Sequence, residues 1–186
     1  MSSMHSVLHP ADKNYATRIA DIHSELGIPA DYAVTRGLPL CEEVTELTDI
    51  GLDINQRMRQ LTPAAADAWQ TMRQGAAHDG ITLLLVSAFR SVDYQRELIA
   101  RKLAKGENIG SILKVMAAPG YSEHHTGRAV DLTVPGMPPL EEAFEATESF
   151  AWLTRNAAGF HFRLSYPRGN PHGIVYEPWH WAFVRD

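Results

Sequence analysis

Cysteine, long apolar runs and any basic excess are scarce in this chain, and each scarcity narrows its chemistry. Cys41 stands alone in 186 residues. No disulfide can form within the chain and no thiolate cluster can hold zinc, so a metal here must take His, Asp or Glu. No stretch approaches the length of a membrane span. Met1–Pro10 has neither the basic start nor the continuous apolar run of a secretory signal, which predicts a cytoplasmic protein, or a periplasmic one if a leader was removed. Lys and Arg number 17 against 22 Asp and Glu, a formal charge of −5. Basic residues occur only as short pairs, which argues against nucleic acid as a partner and for a small neutral or zwitterionic ligand. Repeats and low-complexity tracts are missing too. What remains is 45% hydrophobic, enough for one domain over 1–186 to bury a core without staples.

Local patterns fill that domain with alternating element types. Tyr15, Ile19, Ile22 and Leu26 recur at helical spacing until Gly27 and Pro29, and a second short helix is expected from Pro29 to Arg36. Gly37 to Glu43 reads as loop, so residues 1–61 are expected to form an N-terminal helical extension. Thr62 before Pro63 predicts a capped helix that buries Ala65, Trp69, Met72 and Ala76. Ile81 to Ala88 is apolar on both faces and reads as a buried strand. Ser91 is expected to cap a helix ending at Gly106, and Ser111 a shorter one to Met116. A further helix should run from about Thr147 to Gly159. Phe160–Ser165 and Gly173–Tyr176 are expected to pair as a hairpin, with a final strand over His180–Val184. The order predicts an α+β fold, helices packed on an antiparallel central sheet.

Chemistry concentrates in two segments, Ser122-Glu-His-His-Thr-Gly-Arg-Ala-Val-Asp131 and Glu177-Pro-Trp-His-Trp181. A hydrolytic zinc site needs three N or O ligands, an open position for water and a nearby base. These segments offer all of them. Gly127 permits a tight turn, so His124 can arrive from the turn while Asp131 points in from the following strand. Pro178 excludes a mid-sheet position, so Glu177–His180 reads as a short turn or irregular strand edge in which His180 can bind metal while Glu177 stands over the bound water. His125, adjacent to His124, should point the other way, toward a place behind the ligands or at the surface. His5, His9, His23 and His78 read as surface residues. His161 and His172 stay unassigned, with a plain structural role favoured.

The pattern resembles the VanY-type zinc D-alanyl-D-alanine carboxypeptidases, in the group that includes lysostaphin-type peptidases and the hedgehog domain. Ser122, His124, Gly127, Ala129 and Asp131 meet the Ser-x-His-x-x-Gly-x-Ala-x-Asp pattern, and Glu177 through His180 meet Glu-Pro-Trp-His. Ser87-Ala-Phe-Arg-Ser91 with Gln95 matches a third family element, departing only at Phe89, where the family has tyrosine. The motifs lie within 81–186. The resemblance implies a hedgehog-like peptidase fold and one zinc ion held by His124, Asp131 and His180. It implies Glu177 as general base and then acid, and Arg90 as the cation that polarises the scissile carbonyl. Gln95 and Ser122 match positions that orient the terminal D-alanine. Trp179 and Trp181 are expected to wall the site and pack.

The expected function is removal of a C-terminal D-alanine from peptidoglycan stem peptides or muropeptides. L,D-carboxypeptidase action on tetrapeptides in cell-wall recycling is preferred over D,D-action on pentapeptides, because tetrapeptides are what a cytoplasmic enzyme would meet. Two other readings compete. Ser111-Ile-Leu-Lys114 with His125-Thr-Gly127 has the form of a penicillin-binding serine enzyme, but the two elements lie too close together and no Ser-x-Asn partner is in order. A zinc-containing, non-catalytic cell-wall-binding module would need neither Glu177 nor Arg90.

Overall fold

In a computed structural model, residues 10–184 are described; the expectations placed on Met1–His9 lie outside them. Helix α1 (Pro10–Leu26) ends at Gly27, whose φ of 67° terminates it, and α2 (Tyr32–Arg36) follows. The N-terminal segment is nevertheless not wholly helical. Strands β1 (Thr48–Leu52) and β2 (Met58–Leu61) form an antiparallel pair with an irregularity between Asp49 and Gly51. Their apolar residues are few, and the turn between them is held by Asp53, which accepts from the backbone N–H of Asn55 and Arg57 and pairs with Arg59. That local bracing through one carboxylate is not visible as strand periodicity.

Helix α3 (Pro63–His78) buries the four expected residues. Thr62 sits at its N-cap without capping it. Its backbone N–H donates to Gly127 O at 2.9 Å instead, which joins the helix start to the metal-motif turn. Strand β3 (Leu84–Ser87) leads to α4 (Val92–Ala104), where Ser91 Oγ caps Tyr94 N as expected. Helix α5 (Ile109–Val115) starts earlier than predicted, because Asn108 rather than Ser111 supplies the capping oxygen.

Strand β4 (Ala129–Thr133) is buried along its whole length. After α6 (Glu148–Asn156), capped by Thr147, come β5 (Phe162–Leu164) and β6 (His180–Phe183). The four-stranded antiparallel sheet has the order β3-β4-β6-β5. The expected hairpin therefore does not form. Phe162–Leu164 pairs with β6, while 173–176 stays irregular and closes on α5 through Val175 N to Lys114 O.

Trp69, Met72, Leu132, Leu153 and Phe162 are buried where α3 and α6 meet the sheet. Each such side chain contributes about 2 kcal/mol through removal from water. A second cluster joins Ile19 and Ile22 of α1 to Ile99 of α4 and Ile112 of α5, so the N-terminal helix completes the core. His23, expected at the surface, is buried within it, bonded to Pro119 O and packed against Tyr32 and Tyr121. Among the described residues no helix is long and apolar enough to cross a membrane.

Candidate metal centre

Sheet register builds the site. Asp131 on β4 lies directly opposite His180 on β6, and Ser87 on β3 faces Asp131 from the other side. Paired residues of antiparallel strands project to one face, so Asp131 Oδ1 comes within 3.0 Å of His180 Nδ1. His124 arrives from a 3-10 turn (Glu123–Thr126) that Gly127 closes at φ 61°. A Cβ at Gly127 would stand 3.0–3.2 Å from side-chain atoms of Val44, Leu47 and Thr62, so any other residue would crowd these neighbours as well as strain the backbone. The ligand atoms of His124, Asp131 and His180 all lie within 4.8 Å of one another.

The two histidines of the turn are set by carbonyl groups, which can only accept. His124 Nδ1 donates to Ala88 O at 2.6 Å. Its Nε2 is then a bare lone pair, buried without a hydrogen-bond partner among the described residues and 3.1 Å from Asp131 Oδ2. A lone pair beside a carboxylate is a cost in the free protein and a ready donor to a cation, so these residues fit a metal of the zinc type. Burial holds the His124 pKa down to about 4, so the ring is neutral at pH 7. His125 is fully buried, which corrects the surface alternative. It donates from Nδ1 to Arg90 O and accepts from Gly120 N. Arg90 N in turn donates to His124 O, so the consecutive histidines clamp the arginine's backbone.

Arg90 Nη2 is 3.8 Å from Asp131 Oδ2, while its Nε is buried without a partner among the described residues. His180 N donates to Glu177 O across the expected turn, and Glu177 Oε2 stands 3.8 Å from His180 Nδ1. Burial is the main reason the Glu177 carboxyl is raised from its ordinary 4.5 to about 7, with the negative Asp131 and Glu123 adding to it against His180 and Arg90. A base poised near neutrality suits proton transfer at physiological pH.

These groups open on a cleft of about 250 Å³ that Ser122 and Trp179 also line. Trp181 packs beneath, its Nε1 donating to Pro178 O. Gln95 does not line the cleft. Its amide donates to Ala117 O behind the wall, and its Oε1 has no partner among the described residues. His172 bonds Arg36 O, and His161 lies exposed, its ring edge-on to Phe183. Two contributors escaped the sequence reading. Tyr166 packs its ring 4.9 Å from that of His180, and Glu123 Oε2 lies 2.8 Å from His180 Nε2. Glu123 had a signal, a carboxylate inside the histidine run. Tyr166 had none, since only the loop path carries it to the cleft.

A mixed helix and sheet domain with a buried His-Asp-His donor set, a carboxylate of raised pKa and a cleft arginine has the site make-up of the metallopeptidase class. The VanY family, D-alanyl-D-alanine carboxypeptidase, matches residues 58–186, and the chain belongs to it. YodJ of Bacillus subtilis (strain 168) is 37% identical over 131 residues, covering 68% of this chain and 47% of YodJ. The chain thus spans about half the length of that relative. In three dimensions it is similar to the LdcB LD-carboxypeptidase, with a TM-score of 0.68 at 31% identity, over 76% of this chain and 69% of that one. It is also similar to the D,D-pentapeptidase VanY solved with Zn(II), with a TM-score of 0.59 at 26% identity, over 76% and 80% of the two chains.

Proposed function

We propose that this chain is a zinc carboxypeptidase that removes the C-terminal D-alanine from peptidoglycan stem peptides, with a preference for the L,D bond of tetrapeptides. The observation that carries the reading is the convergence of His124, Asp131 and His180 with Glu177 and Arg90 on one cleft. A zinc ion held by the three donors supplies a Lewis acid that acidifies water and polarises a peptide carbonyl. Glu177 takes a proton from the attacking water at its carboxylate and delivers it to the departing D-alanine nitrogen. Arg90 turns its guanidinium donors toward the carbonyl oxygen as negative charge develops there. Ser122 contributes a hydroxyl to the same cleft for the terminal D-alanine, while Gln95 shapes the wall through Ala117.

The L,D preference is supported by the likeness to the LdcB LD-carboxypeptidase, a TM-score of 0.68 at 31% identity. D,D-action on pentapeptides is the second reading, favoured by the family's description and by the D-alanyl-D-alanine carboxypeptidase of Enterococcus faecalis, 29% identical over 125 residues. A purely binding module leaves the raised Glu177 and the cleft-facing Arg90 without a purpose. Incubating the zinc-loaded protein with defined tetrapeptide and pentapeptide stems, with products identified by mass, decides between them. Release of D-alanine from the tetrapeptide is expected; cleavage of the pentapeptide alone would overturn the preference.

A further inference from the structure

His180 is held on every side, and one of its holders belongs to neither metal motif as the family pattern states it. Its Nδ1 faces Asp131 at 3.0 Å and Glu177 at 3.8 Å, and this is the nitrogen turned toward the donor set. Its Nε2 faces away, 2.8 Å from Glu123 Oε2. The ring plane is fixed between His124 and Tyr166, each with its ring centre 4.9 Å away. Glu123 is anchored in turn, since its other oxygen lies 3.5 Å from Arg163 Nη2 on β5. Because Glu123 sits beyond the far nitrogen of the ring, it cannot join the same ion as His124 and Asp131 without the ring turning over.

We propose that Glu123 is the positioning residue of the third metal donor. Accepting the Nε2 proton obliges the neutral imidazole to present its Nδ1 lone pair to the metal, and the negative charge makes that nitrogen a better donor. A ligating histidine whose second nitrogen is bound by a carboxylate gains both orientation and basicity. Glu123 fills the variable position between Ser122 and His124, so the strength of the metal site in this chain depends on a residue the motif leaves free. The inference rests on the zinc-peptidase reading above.

The test uses the full chain and Glu123→Ala beside Glu123→Gln, with zinc affinity measured by competition with a chromophoric chelator. Proton NMR of the zinc-loaded protein, with its imidazole nitrogens labelled, follows the hydrogen-bonded N–H of His180. Glu123→Ala is expected to weaken zinc binding by roughly 10–100-fold and to lose the slowly exchanging His180 N–H signal. Glu123→Gln keeps an acceptor oxygen, so it should retain that signal at a shifted frequency and lose less than about 10-fold in affinity. An Ala variant that binds zinc within about 2-fold of wild type, or keeps the signal unchanged, overturns the inference while leaving the metal reading intact. Should the Ala variant not fold, a Gln variant with unaltered affinity and signal does the same. Wild type that binds no zinc removes the metal reading itself, and the inference with it.

Discussion

Replacing Glu177 by Gln separates catalysis from metal binding and stability in one variant. The carboxyl is buried and raised from 4.5 to about 7. Because the folded pKa lies above the unfolded one, the stability this group contributes is present below about pH 4.5 and is lost as pH rises through about 7. At about 1.4 kcal/mol per pKa unit the loss approaches ~3 kcal/mol by pH 8, reduced in practice to about 2 by relaxation around the charge. Gln has the same shape and no charge to bury. The metal-free variant should therefore be about 2 kcal/mol more stable than wild type at about pH 8 and little different near pH 4.5. Turnover of the zinc-loaded variant should fall by roughly 10²–10⁴-fold, because no group remains to move the proton, while zinc affinity stays close to wild type. Urea unfolding of chelator-treated protein at the two pH values, with peptide turnover measured alongside, checks all three. A stability difference that does not vary with pH would refute the buried-carboxylate argument, and unchanged turnover would refute the base.

Zinc binding should expel a proton. In the metal-free protein burial opposes the charge on His180, but its bonds to Asp131 and Glu123 prevail and raise the pKa to about 10, so its Nδ1 carries a proton at pH 7 that the metal must displace. Calorimetry in two buffers of different ionisation enthalpy should show about one proton released per zinc from this ring; none released would contradict the assignment. The same raised pKa gives metal-free stability that is full below about pH 6.5 and is lost as pH rises through about 10. Arg90→Lys keeps the charge but loses the planar fork, and kcat should drop by about 10²-fold with zinc affinity unchanged, as measured by steady-state kinetics and chelator competition. Gly127→Ala places a Cβ at φ 61° against three side chains at 3.0–3.2 Å. Left-handed strain and crowding together should cost about 2–4 kcal/mol in urea unfolding.

What the sequence disclosed and what it hid divide along a physical line. His124, Asp131, His180 and Glu177 converge as their spacing suggested, because a glycine turn, a strand and a proline-broken turn are local devices that short segments specify. The helices with clear period, α3, α4 and α6, also form where expected, the last two with the caps that Ser91 and Thr147 supply. The β1–β2 pair escaped because its stability comes from Asp53 and from packing under α3 rather than from alternation. The partner of β5 escaped for a related reason: two short apolar segments flanking turn residues look like a hairpin, yet Phe162 pairs with Phe183 of β6 and is buried there. His23 looks solvated from its neighbours, and only the distant Pro119 carbonyl explains its burial, while His125, left between a place behind the ligands and the surface, is drawn inward by the Arg90 carbonyl.

The segment before the family match shows why the site cannot be understood from its motifs alone. Cys41 N donates to Gly120 O, Val44 N to His125 O, and Glu43 accepts from Val92 N at the start of α4. Leu38 packs against Ala117, Tyr166 and Ile174, all of which line the cleft, while Arg36 donates to the carbonyls of His172 and Gly173. Each contact falls on a residue that flanks or holds a metal donor, the arginine or the cleft wall. The hydrogen bonds among these contacts are short and directional, so they fix position. Residues 36–47 are thus a strap drawn along the outside of the histidine turn. The two histidines grip Arg90 from within, the strap fixes the histidines from without, and the tolerance of about 0.5 Å that a hydrolytic constellation needs is supplied from both sides.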